Sequence, residues 1–228
     1  MPQTTDHPAA AVPFAVRDCA LITITAGYKA QNLREFRTAL DRVATNSIYH
    51  HFWGRLLRAQ FDEPEYNNDF ASWIYHALHD KPLAERLSMV TPTDFDDLES
   101  LRQEIIEAVE LRLDESELVP WATTDQQFHF LKSQIVVFDT GLRFDQPEAL
   151  FPQLAQLTTG SIYYHFIDAR SRTLERCDDF STWLAGFGDT YQRLASRLCS
   201  VDPYFSSLGE LRHRVTQAFS QYFEEAAR

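Results

Sequence analysis

Glycine is scarce in this chain, seven residues in 228, and its ten prolines are scattered. That excludes a glycine-rich linker, a collagen-like repeat and a low-complexity array. Cysteine is nearly absent: Cys19, Cys177 and Cys199 are an odd count with no close pair in sequence, and they do not match between the two halves of the chain. Neither a disulfide framework nor a cysteine-based zinc site is expected, and the three read as inert buried thiols. Long apolar runs are missing too. The densest, near Leu21 to Ile24 and Ile135 to Phe138, fall far short of the roughly 20 residues that a membrane-spanning helix needs. Positive charge is in deficit, with a formal net charge of −12 and no Lys/Arg cluster along the sequence, so nucleic acid and anionic membrane are not expected as partners. The stretch Met1 to Ala11 has no cationic start followed by an apolar run, and a cytoplasmic protein is expected. A phosphate-binding glycine loop and a Gly-x-Ser-x-Gly elbow are both lacking, and Gly186-Phe187-Gly188 is too short for a dinucleotide fingerprint.

What is present is a duplication. Ser47-Ile48-Tyr49-His50-His51-Phe52 recurs as Ser161-Ile162-Tyr163-Tyr164-His165-Phe166, and Asp69-Phe70-Ala71-Ser72-Trp73-Ile74 recurs as Asp179-Phe180-Ser181-Thr182-Trp183-Leu184. Gly27 and Lys29 pair with Gly141 and Arg143, while Phe95, Leu98, Leu101 and Arg102 pair with Phe205, Leu208, Leu211 and Arg212. Order and spacing are kept, which makes each half one structural unit repeated. Seventeen Phe, nine Tyr and four Trp supply ample core material.

The periodicities predict a mainly α protein made of two tandem repeats of about five helices each, packed with pseudo-two-fold symmetry. Short β-branched and aromatic runs at Phe14 to Thr25 and Phe128 to Thr140 allow one short strand to open each repeat. The expected organisation is a loose tail over 1–13, a first repeat over 14–114, a joint over 115–125 and a second repeat over 126–228. Ser47 and Ser161 are expected to cap the second helix of each repeat, and Asp69 and Asp179 the third. Leu98, Leu101, Ile105 and Val109, matched by Leu208, Leu211, Val215 and Phe219, form the stripe of the fifth.

Chemistry is sought where polar groups interrupt an apolar stripe, because burying them is costly unless they are satisfied. His51 and His165 do so, as do Arg102 and Arg212, whose guanidinium cannot shed its charge and must find a carboxylate, carbonyls or an anion. Tyr49 and Tyr163 stand beside the histidines and can stack or donate a hydrogen bond. Tyr49, His51, Arg102, Tyr163, His165 and Arg212 are therefore the ligand-binding candidates, weighed against structural roles for all six. Four of the eight histidines lie at 50, 51, 76 and 79. Imidazoles on neighbouring turns can clamp a transition metal, so His51, Asp69 and His76 form a candidate divalent-metal set, although no His-Glu-x-x-His motif is present. Otherwise no cofactor is expected.

The Ser-Ile-Tyr-Tyr-His-Phe block, its variant at Ser47 to Phe52 and the two Asp-Phe-x-x-Trp blocks resemble an uncharacterised bacterial family, a domain of unknown function. The resemblance spans most of the chain after the tail and implies no reaction, cofactor or residue role. Two readings follow. One is a non-catalytic binding or interaction module for a small polar ligand or a protein partner. The other is a metal-assisted hydrolase or transferase whose His/Asp site lies in the first repeat. Oligomeric state and catalytic residues are not legible.

Overall fold

The computed structural model describes residues 12–57, 65–115, 122–172, 176–204 and 207–226. Phe14–Ala30 (β1) leads into helices Leu33–Arg42 (α1), Thr45–Trp53 (α2), Asp69–Leu78 (α3), Lys81–Ser88 (α4) and Leu98–Glu115 (α5). Phe128–Phe144 (β2) then leads into Pro147–Leu154 (α6) and Thr159–Ile162 (α7). A π-helical stretch, Tyr163–Asp168, joins α7 to Ala169–Arg172 (α8), and Asp179–Ala185 (α9), Gln192–Cys199 (α10) and Leu208–Ala226 (α11) complete the chain. The protein is thus mainly helical, with a two-stranded sheet formed by β1 and β2. Both strands are 17 residues long, well beyond the short openings expected. They continue past Gly27 (φ +83°) and Gly141 (φ +77°), where the missing Cβ lets each strand take a left-handed kink without stopping. The strands run antiparallel, since Val16 meets Thr140 while Gln31 meets Thr124.

The chain forms two compact units, Leu21–Val136 and Met1–Ala20 with Val137–Arg228. These bounds differ from the repeats read in the sequence, because each strand crosses from one unit to the other. In the unit 21–136, the first residues of β2 complete the core of α1 to α5: Phe36, Phe70, Phe128 and Phe130 pack with ring centroids 4.9–6.3 Å apart. In the other unit Phe14, at the start of β1, packs on Phe180 at 5.0 Å and on Trp183 at 5.2 Å. Each bundle is therefore completed by the strand that opens the other repeat. The tail residues 1–11 and residues 116–121 of the joint lie outside the described residues.

Helix starts are displaced from the expected caps. Thr158 caps α7, accepting from the Ser161 N–H, and Ala44 precedes α2 without a side-chain cap. Ser47 instead donates its hydroxyl to the Leu131 carbonyl at 2.6 Å. The caps of α3 and α9 are Asn68 and Asp178, whose side chains accept from the Ala71 and Ser181 N–H groups. Asp69 and Asp179 follow as first-turn acids, which leaves their carboxylates available to another partner.

Candidate functional site

The repeated motifs converge on one task in each unit. His51, on α2, engages Asp69 through Nδ1 at 2.9 Å and receives the Leu131 backbone N–H on Nε2 at 3.0 Å. Nε2 therefore acts as an acceptor and Nδ1 as the donor, which makes this imidazole the neutral Nδ1–H tautomer. His165 repeats the arrangement, with Nδ1 2.8 Å from Asp179 and Nε2 accepting from the Arg17 N–H at 2.8 Å. Trp73 donates its indole N–H to the Gln126 carbonyl at 2.6 Å, and Trp183 donates to Val12 at 2.8 Å. Histidine, aspartate and tryptophan thus clasp a strand: β2 in the unit 21–136 and β1 in the other.

The arginines too are engaged with the backbone. Arg102, 7% exposed, donates to the carbonyls of Leu40 and Asp41 at 3.0 and 3.2 Å, satisfying the last turn of α1. Its Nε lies 3.2 Å from Glu99 without hydrogen-bond geometry. Half-buried Arg212 donates to Leu157 just beyond α6 at 2.7 Å. Tyr163 is fully buried, whereas Tyr49 is half-exposed and packs beside Trp53.

Of the metal candidates, His51 and Asp69 come together but His76 does not join them. It is exposed and stands 3.7 Å from Glu65. Its place is taken by His50, so that His50, His51 and Asp69 hold potential ligand atoms within 4.8 Å of one another. The same contacts oppose a metal there. Both His51 nitrogens are engaged, and His50 Nδ1 lies 2.5 Å from the Ser133 hydroxyl. A cation would have to displace the clasp.

The second unit adds a network that sequence pattern did not reveal. Arg172 meets Asp168 at 2.6 Å and Asp179 at 3.1 Å, and its guanidinium lies 4.2 Å from the Tyr164 ring centre. Burial raises the Asp168 carboxyl above its ordinary range, against the lowering effect of Arg172. Cys19 is buried beside it and its thiol is pushed up to about 12, first by burial and then by the charges of Asp168 and Asp18. Such a thiol is no nucleophile near neutral pH. The β1 backbone passes so close to α7 here that a Cβ on Gly160 would meet Asp18 Oδ1 at 2.1 Å and the Cys19 carbonyl at 2.5 Å.

One cleft opens beside this scaffold in the unit 21–136. Tyr28 and Lys29 from β1, with Arg34, Glu35, Thr38, Ala39 and Arg42 from α1, line a volume of about 330 Å³. Three cations gather there because Arg34, Thr38 and Arg42 share one helical face at i, i+4 and i+8, and β1 delivers Lys29 beside it. The spacing of 29, 34 and 42 hid this cluster in the linear sequence. Among the described residues Lys29 and Arg42 have no carboxylate partner. Among the described residues the second repeat does not repeat this cluster. Its Arg143 is held by Asp139 at 2.6 Å, while Glu148 and Gln156 stand where Arg34 and Arg42 do.

The model of a family of unknown function, DUF5752, matches residues 11–220. The chain belongs to this family. Among solved structures it is similar to OrfY from Thermoproteus tenax, at 25% identity and a TM-score of 0.79, over 94% of this chain and 97% of that one. No curated protein matches the chain. Among the described residues no helix is long and apolar enough to cross a membrane.

Proposed function

We infer that this member of the family is a non-catalytic binding module for a small polar ligand, held in the cleft of Tyr28, Lys29, Arg34, Thr38 and Arg42. The observation that carries the reading is the contrast between two sets of polar residues. The repeat-matched His51, His165, Asp69, Asp179, Arg102 and Arg212 are engaged in holding strands and helix ends, which supports structural roles for them. The cleft cations belong to one repeat alone, and among the described residues Lys29 and Arg42 serve no ion pair. In a chain of net charge −12 such a site favours a compact anion, with Tyr28 as an apolar wall. Inorganic phosphate is the first probe. Calorimetric titration is expected to show binding that weakens about tenfold in Lys29→Ala or Arg42→Ala, the loss of one charge-assisted hydrogen bond. Arg143→Ala, in the second repeat, should leave it unchanged. Binding indifferent to Lys29 and Arg42 would remove the cleft from consideration.

The same proposal includes tandem repeats related by a pseudo-two-fold, supported by the matched pairs of ties: Trp73 to Gln126 with Trp183 to Val12, and His51 to Leu131 with His165 to Arg17. A second reading, the metal-assisted enzyme of the first repeat, is supported by the closeness of His50, His51 and Asp69. Metal analysis of untagged protein distinguishes the two. A stoichiometric transition metal, lost together with activity in His50→Ala, would favour the enzyme.

A further inference from the structure

Cys177 and Cys199 stand 22 positions apart in the chain, without a close pair and expected to be inert and buried, yet the fold brings them together near the surface. Cys177 stands immediately before Asp178, the cap of α9, and Cys199 is the last residue of α10. Their sulfurs lie 3.0 Å apart. Cys199 is exposed and Cys177 half-buried, so a small reagent reaches the pair from solvent. The first repeat places a tie at the same seam. Asn67, before the cap of α3, donates its side-chain amide to the carbonyl of Ser88, the last residue of α4, at 2.8 Å. Where one repeat fastens its third and fourth helices by a hydrogen bond, the other presents two thiols.

We propose that Cys177 and Cys199 are a reversible oxidation site whose disulfide locks α9 to α10. The oxidant is a low-molecular-weight disulfide. The exposed Cys199 thiolate attacks one of its sulfurs, forming a mixed disulfide and releasing one small thiol. The Cys177 thiolate then attacks the Cys199 sulfur and expels the second small thiol. Two protein S–H bonds become one S–S bond, and the reagent, reduced by two electrons, carries off both protons as two thiols. Little movement is needed, because the sulfurs already touch and a disulfide requires only about 2.05 Å between them. Cys19 takes no part: it is buried and donates to the Gly160 carbonyl. The hydrogen bond to Cys199, with burial, holds the Cys177 thiol up to about 11. Closure therefore quickens as pH rises towards that value, since the attacking thiolate becomes more abundant.

The test is to incubate the full chain with oxidised glutathione and map its peptides under non-reducing conditions. The expected product is a single Cys177–Cys199 link, two hydrogens lighter than the reduced protein, free of glutathione, reversed by dithiothreitol and melting roughly 5 °C or more above the reduced form. Cys177→Ser, with an unchanged circular dichroism spectrum, should stop the reaction at a stable glutathione adduct on Cys199. A stable adduct on the parent protein, a link involving Cys19, a link between chains or no oxidation at all would each overturn the proposal.

Discussion

At the scale of single residues, the two histidines are the most economical devices in the protein. Each imidazole joins a first-turn carboxylate to the backbone N–H of a strand, using both of its nitrogens. Replacing His51 or His165 by Ala leaves a buried N–H without an acceptor and opens a cavity. Each variant should lose about 2–4 kcal/mol in urea unfolding, and equal losses from the two would mark the roles as equivalent. Asp178 and Asn68 offer a comparison the duplication has already made. Both cap the third helix of their repeat, but Asp178 is a buried carboxyl raised above its ordinary range chiefly by desolvation. A raised carboxyl binds protons more tightly folded than unfolded, so its contribution to stability falls as pH climbs through the carboxylate range. Asp178→Asn keeps the acceptor for the Ser181 N–H and removes the charge. The variant is expected to match or exceed the parent in stability at pH 7, with the difference shrinking as pH falls through the raised carboxyl's range towards the ordinary Asp value and constant below it, as thermal melts across that range will read.

Among the elements, the helices follow their apolar periods closely. Leu101, Ile105 and Val109 of α5, and Leu211, Val215 and Phe219 of α11, are buried as the spacing dictates. Local pattern is sufficient there because a helix satisfies its own backbone and needs only one apolar face. The strands are another matter. Their second parts are largely exposed and carry weak alternation, and Gly27 and Gly141 are kinks within them. Gly27→Ala and Gly141→Ala should each cost about 1–2 kcal/mol, from forcing a Cβ into the left-handed region where no contact compensates. Gly160→Ala should cost more, since its neighbours are the Asp18 carboxylate and the Cys19 backbone rather than open space. Comparing the three urea midpoints checks the ranking.

On the level of the whole molecule, the compact units have other bounds than the repeats read in the sequence. The repeat 14–114 contains every helix of its bundle but lacks Phe128, Phe130 and Leu131, the residues that fill its aromatic core and occupy its histidine. The segment 21–136 contains them. Expressed separately, 21–136 is expected to melt cooperatively, while 14–114 should show weak, non-cooperative helicity. A cooperative transition in 14–114 would show that the strand is dispensable.

The sequence alone determined the helical class, the apolar stripes and the family, because each rests on patterns within about 50 neighbouring residues or on short, specific motifs. It also singled out His51, His165, Arg102 and Arg212 on apolar stripes and placed Asp69, Asp179, Trp73 and Trp183 in matched motifs. What it withheld was their purpose, which depends on partners such as Leu131 and Arg17 that lie 80 and 148 positions away from the histidines they bind. The same holds for the cations of the cleft and for Cys177 with Cys199, residues unremarkable along the chain that become chemistry only when backbone geometry sets them side by side. Periodicity records which face of an element is buried. Only the tertiary structure decides what that face meets, since long-range pairing leaves no regular signature in the order of the residues.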